Sequence, residues 1–222
     1  MTKVYLADTD RLEDPVVFQK LYRTVPVHRQ EKIVAIRFPK GKRLSLGAWF
    51  LLMHALREAG VTEENIRLSY GPSGKPYLQD FPNLFFSLSH SENRVMCAVS
   101  FEEVGCDVEK IKAANMPLAE RFFCREEYDA IVSVPPAERD EVFFRFWTLK
   151  ESFIKNVGRG LSLPLSEFSI QLRESGAAVT QNVMPGQRFY FREFQLRDGY
   201  RYACCARQPG ISAVTMVLLP EE

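Results

Sequence analysis

Residues 137–158, AERDEVFFRFWTLKESFIKNVG, together with the segment 104–110, VGCDVEK, decide how this chain is read. The longer stretch is rich in aromatics and predicts a helix of several turns from Ala137 to Val157, with Gly158 where a helix commonly stops. The shorter one reads as a strand, on which Asp107 and Glu109 stand two residues apart and so project from the same face. A charged helical stretch around Pro117–Val132 separates the two. Four segments after them, Glu167–Leu172, Gln187–Leu196, Tyr200–Ala206 and Ala213–Leu219, read as strands divided by turns such as Arg197-Asp198-Gly199. The second half is therefore helix first and sheet after.

The first half has a similar order. Residues 2–7 form a short strand, Asp14-Pro15 starts a helix through Leu21 with the proline in the tolerated first turn, and a second helix covers Val27–Phe38. From Lys42 to Ala59, Leu44, Leu51, Leu52, Ala55 and Leu56 fall at helical spacing ahead of Gly60. Arg67–Tyr70, Leu84–Leu88 and Val95–Phe101 read as strands, with GPSGKP at 71–76 as a loop. The repeated order predicts an α+β protein of two similar lobes, 1–103 and 104–222, each within ordinary domain size.

Composition narrows the chemistry. The 222 residues are 46% hydrophobic and 26% charged with a net charge of +1, so no global field points to nucleic acid or an anionic membrane, and phosphate binding must come from a local constellation. The acids in the first fifteen residues and the lack of a long apolar run make a cytoplasmic location the expectation. Cys97, Cys106, Cys124, Cys204 and Cys205 form no C-x-x-C pair and read as buried free thiols. A metal here would be a hard ion held by oxygen.

Taken singly, each candidate motif has a bland reading. Asp107 and Glu109 could be solvated acids on an exposed strand. Glu151 and Lys155, one helical turn apart, could be a surface pair contributing a few tenths of a kcal/mol. Phe86-Ser87-Leu88-Ser89-His90-Ser91 ends a strand in hydroxyls and an imidazole that can donate to phosphate oxygens, or simply makes a turn. Gly74-Lys75-Pro76 and the cluster His28, Arg29, Lys32 and Arg43 offer cations that are as easily solvated faces. Gly158-Arg159-Gly160 lacks the spacing of a phosphate-cradling loop and reads as a helix stop.

In combination and in this order, GKP at 74–76, FSLSHS at 86–91, GCDVEK at 105–110 and FWTLKESFIKNVGRGLSLPL at 146–165 resemble the successive signatures of the phosphopantetheinyl transferase family, in particular its monomeric, surfactin-synthetase-activating type. The resemblance implies two α+β lobes related by a pseudo-twofold axis, with coenzyme A in the cleft between them. It implies Mg²⁺, replaceable by Mn²⁺, held by Asp107, Glu109 and Glu151, a donor set that suits a small hard ion. It also implies that Lys155, Ser89 and His90 contact the pyrophosphate and that Lys75 and Pro76 lie along the adenine. Glu151 is further assigned as general base for the attacking serine of an apo acyl- or peptidyl-carrier protein. Where relatives place lysines for the 3′-phosphate, this chain has His28 and Glu31 with Lys32 shifted by one position, so Arg29, Lys32 or Arg43 is expected to supply that contact.

Two other classes compete. A silent module that only holds coenzyme A or a carrier protein predicts damaged acids or a damaged lysine, whereas all four residues are intact. A metal-dependent phosphodiesterase predicts a basic, aromatic-lined stripe, which is missing. The carrier is expected beside Ile111–Phe123, where Met116, Leu118 and Phe123 either offer apolar surface or belong to the core, and Lys110, Lys112, Arg121 and Arg125 steer an acidic partner.

Overall fold

The computed structural model describes residues 1–61, 66–174, 176–181 and 183–219. Strand β1 (Thr2–Asp8) leads to helices α1 (Pro15–Thr24), α2 (Val27–Ala35) and α3 (Pro39–Glu58), followed by β2 (Leu68–Tyr70), β3 (Pro76–Leu78), β4 (Phe85–Ser91) and β5 (Arg94–Ser100). The second half runs β6 (Val104–Lys110), α4 (Met116–Phe122), α5 (Arg125–Ser133), α6 (Pro136–Val157), β7 (Phe168–Arg173), β8 (Gly176–Gln181), β9 (Tyr190–Phe194), β10 (Tyr200–Ala206) and β11 (Ile211–Met216). The class is α+β, as expected.

Local chemistry explains where boundaries differ from the expectation. Pro39 opens α3, and the residue before a proline avoids the helical region; Phe38 is accordingly extended at φ −96°, ψ 136°, so α2 ends at Ala35 and α3 starts three residues early. The charged stretch at 117–132 divides at Cys124, whose backbone N–H donates to the Glu127 carboxylate at 2.9 Å and so caps α5. Strands β3 and β8 went unread, one being three residues long and the other Gly176-Ala177-Ala178-Val179-Thr180-Gln181, poor in the bulky residues that mark strands.

Two sheets carry the fold, one in the order β11-β1-β5-β4 and the other β6-β10-β9. β11 pairs parallel with β1, so the last strand returns to the sheet of the first. Side chains alternate along each strand. In the first sheet Tyr5, Ala7, Val95, Cys97 and Val99 pack on α3, while Val4, Leu6, Met96 and Ala98 meet Val104, Cys106, Val108, Tyr202 and Cys204 of the second sheet. From the outer face of that second sheet, Ala203 and Cys205 pack on Phe146, Leu149 and Phe153 of α6. The result is four layers, α3, sheet, sheet and α6. Both sheets are covered on both faces, which is why β10 is buried at six of its seven positions and shows no alternation in its sequence.

Cys97, Cys106, Cys204 and Cys205 are buried free thiols and Cys124 is half-buried, which matches the reading of the cysteines.

Candidate active site

The site forms where α6 crosses β6, and a missing side chain sets the distance. Val104, Cys106 and Val108 point into the core between the sheets, so Gly105, Asp107 and Glu109 occupy the opposite face, toward α6. A Cβ on Gly105 would stand 2.0 Å from the Ser152 carbonyl oxygen and 2.4 Å from the Asn156 nitrogen. Only glycine lets the helix backbone come this close, and the approach brings Lys155 Nζ to 2.7 Å from Asp107 Oδ1.

The FSLSHS segment joins the edges of the two sheets. β4 and β6 are both edge strands, with unpaired backbone groups that need partners. Ser87 Oγ accepts from Cys106 N at 3.0 Å and Ser91 Oγ from Lys110 N at 3.1 Å. Ser91 Oγ donates to Glu109 Oε2 at 2.7 Å, and Ser89 Oγ donates to Asp107 Oδ1 at 2.7 Å while accepting from Lys155 at 2.8 Å. Three alternate serines thus close the junction between the two sheet edges and orient both strand acids. His90, between two of them, is exposed.

Charge in this space is unbalanced. Burial first, and then the negative charges of Asp107 and Glu109, push the Glu151 carboxyl above the usual range against the pull of Lys155. Glu109 is likewise raised, mainly by burial, with Asp107 adding to it and the Ser91 hydrogen bond opposing. Burial is the largest single influence on the Lys155 ammonium and works against it, but Asp107, Cys106 and Glu151 together hold its pKa above the ordinary value. Asp107 is 3% exposed and its Oδ2 is buried without a hydrogen-bond partner, a costly arrangement for a carboxylate oxygen unless a cation meets it. Among the described residues no three Asp, Glu, His or Cys side chains stand as a ready-made metal cage. An all-oxygen donor set with an orphaned, buried Oδ2 nonetheless fits a hard divalent ion.

Glu151 and Lys155 line a cavity of about 710 Å³. Ser73, Gly74, Lys75 and Pro76 form another wall, and Leu118, Phe122, Trp147 and Leu161 lie along it. The early cations divide. Lys32 donates to the Tyr70 hydroxyl at 3.0 Å and sits 4.5 Å over its ring, at the start of the 71–76 loop. Arg29 is spent on Ser45, whose carbonyl and hydroxyl oxygens each lie at 2.8 Å, and on the Trp49 ring. His28 lies edge-on to Trp49, and Arg43 pairs with Glu13 at 2.9 Å beside a separate polar cavity.

Sequence reasoning missed three elements. Lys150 and Glu127, both with fully buried side chains, form an ion pair with Nζ at 2.7 Å from each carboxylate oxygen; Glu127 also accepts from Ile170 N, and Lys150 donates to the Phe168 carbonyl. Glu103 and Asn156 engage the loop lysine, Lys75. Finally, the two alternatives left open near α4 divide by residue: Phe123 is 5% exposed and stacks on Phe143 as core, whereas Phe122, not singled out in the sequence, is 44% exposed. The signal available was phase, since adjacent residues of a helix end cannot share a face.

The α+β fold thus sets Glu151 and Lys155 in a largely apolar cavity bordered by β4 and α6. The family model of the 4′-phosphopantetheinyl transferase superfamily matches residues 103–205, which include β6, α6 and all three acids. The 4′-phosphopantetheinyl transferase psf-1 of Bacillus pumilus is 31% identical over 99% of this chain and 96% of its own. The 4′-phosphopantetheinyl transferase Sfp of Bacillus subtilis (strain 168) is 35% identical over 74% of each chain. The chain belongs to the 4′-phosphopantetheinyl transferase family. The described residues contain no helix long and apolar enough to cross a membrane.

Proposed function

We propose that the cleft transfers the 4′-phosphopantetheine arm of coenzyme A to a serine hydroxyl of an apo acyl- or peptidyl-carrier protein, releasing 3′,5′-ADP. The observation that carries this reading is the meeting of Asp107, with its orphaned Oδ2, Lys155 and Ser89 across the junction between the two sheet edges, beside Glu151 and the cavity. Asp107, Glu109 and Glu151 would hold Mg²⁺, or Mn²⁺ in its place, and the ion would supply positive charge to the pyrophosphate oxygens.

The rest is the work of the chain. Lys155, already committed to charge neutralisation beside Asp107, would face the negative charge that grows on the leaving diphosphate, with Ser89 and His90 donating to its oxygens. Glu151 would take the proton of the carrier serine, directly or through water. The apolar wall would exclude water from the pantetheine arm. Lys32, beside the loop that starts at Tyr70, is the cation we assign to the 3′-phosphate. The carrier would dock on Leu118 and Phe122, and we take the protein to act as a cytoplasmic monomer that uses neither nucleic acid nor membrane.

The test is mass spectrometry of an apo carrier protein incubated with coenzyme A and Mg²⁺, with and without chelator. One phosphopantetheine per carrier is expected, and none with chelator. Tight coenzyme A binding with no mass gain on any apo carrier under any metal condition would replace this reading with a binding module.

A further inference from the structure

Lys75 reaches out of the 71–76 loop to the start of β6 and the end of α6. The loop is closed on itself, with Gly74 N donating to Gly71 O and Gly71 N to Lys75 O, each at 2.9 Å, and Gly74 at φ +80°. The Lys75 ammonium pairs with the Glu103 carboxylate and donates to the carbonyl oxygens of Val104 and Asn156, each at 3.3 Å. An ammonium has three donors, and these acceptors use all of them. The acceptors are themselves fixed. Asn156 is fully buried, its amide donates to Glu103 O at 2.7 Å and Cys205 O at 3.0 Å, and its Oδ1 accepts from Arg207 at 2.8 Å. Asn156 O also belongs to the last turn of α6, where the helix dipole favours a cation.

A second contact ties the same loop to the Gly158-Arg159-Gly160 turn. A Cβ on Gly158 would lie 3.3 Å from Lys75 Cδ, and one on Gly160 would lie 3.2 Å from Ser73 O. The two glycines thus give the loop its seat as well as ending the helix at φ +75°. Loop, turn and the end of α6 form one unit that borders the cavity holding Glu151 and Lys155.

We propose that Lys75 is a positioning residue, a strut that holds the 71–76 loop against the end of α6 and so fixes the loop's backbone for the nucleotide, its charge being spent on Glu103 and two carbonyls and not on the coenzyme's phosphates. The inference rests on the coenzyme A reading above for its effect on KM, but not for the strut itself. Lys155 precedes Asn156 on α6 and is anchored separately, by Asp107 and by the packing of α6 at Gly105. Cutting the strut therefore loosens the loop and leaves the reacting groups in place.

Lys75→Met, Glu103→Ala, the double variant and Lys75→Arg are compared by steady-state kinetics and by amide hydrogen exchange at Gly71 and Gly74 of the full chain without coenzyme A. Each single variant is expected to raise the KM for coenzyme A about tenfold, since both lose the charged Lys75–Glu103 hydrogen bond, with kcat within about twofold. The double variant should be no worse than Lys75→Met, Lys75→Arg should retain most of the affinity, and exchange at both glycines should quicken in both single variants. A merely structural role would lower the melting temperature and leave KM alone. If Lys75 instead met the phosphates, Glu103→Ala would leave KM unchanged or lower it. Additive effects, or unchanged exchange at Gly71 and Gly74, overturn the strut. If Lys75→Met does not fold, Glu103→Ala and Lys75→Arg decide the matter by exchange. Should wild-type protein fail to bind coenzyme A, the functional reading falls while the exchange result still tests the strut.

Discussion

Replacing Gly105 by alanine adds one methyl group where, among the described glycines, a side chain has the least room. The new Cβ would stand 2.0 Å from Ser152 O and 2.4 Å from Asn156 N, where ordinary contact begins at 3.4 Å, so α6 must withdraw by about 1.4 Å at Ser152. Both opposing atoms are helix backbone, and no rotamer change can relieve the clash. Overpacking of this kind typically costs about 1–3 kcal/mol, and the buried packing of Phe146, Leu149 and Phe153 on the second sheet resists the shift. The functional loss should be the larger. Glu151 and Lys155 flank Ser152 on α6, and a displacement of about 1 Å at a reacting group can lower a rate about 100-fold. The experiment is urea denaturation of Gly105→Ala alongside transfer to an apo carrier. We expect a lower midpoint at unchanged slope, a folded circular dichroism spectrum, and transfer reduced about 100-fold even at saturating coenzyme A. A midpoint equal to wild type with full transfer would refute the claim that close approach at Gly105 builds the site.

Lys150→Met leaves Glu127 charged and buried without its ion-pair partner, which should destabilise the protein by about 3–5 kcal/mol in urea unfolding; a double variant with Glu127→Met should recover part of that loss. Asp107→Ala and Glu151→Ala should abolish transfer while melting within a few degrees of wild type, and retained transfer in either would remove that residue from the site. Tyr5 is buried, and desolvation, with Glu58 adding, raises its pKa to about 12. The folded state therefore keeps this proton after the unfolded chain loses it near pH 10, so the stability it supplies is complete below pH 10 and declines as pH rises to about 12; melting curves across that window should flatten in Tyr5→Phe. Phe122→Ala should raise the KM for the carrier without changing that for coenzyme A, whereas Phe123→Ala should act on stability because Phe123 is core.

Local signals were enough for much of this chain. The strand at 104–110 and the helix ending at Gly158 were legible because period-2 and period-3.6 patterns and glycine stops are properties of neighbouring residues. The same-face placement of Asp107 and Glu109, and of Glu151 and Lys155, followed from the same periodicities. What sequence could not state is anything that depends on contacts between distant segments. β11 pairing with β1, the double-sided burial that erases alternation from β10, and the pairing of Lys150 with Glu127 are set by packing, which has no short-range signature. The same holds at the site. Ser87, Ser89 and Ser91 looked like a polar strand end, and only the meeting of two sheet edges gives their hydroxyls backbone and carboxylate partners. Gly105 read as an ordinary strand residue, and it was the passage of α6 across it that made the missing side chain decisive. Residue identity determined which groups could do chemistry; the docking of one helix onto one strand decided which of them stand together.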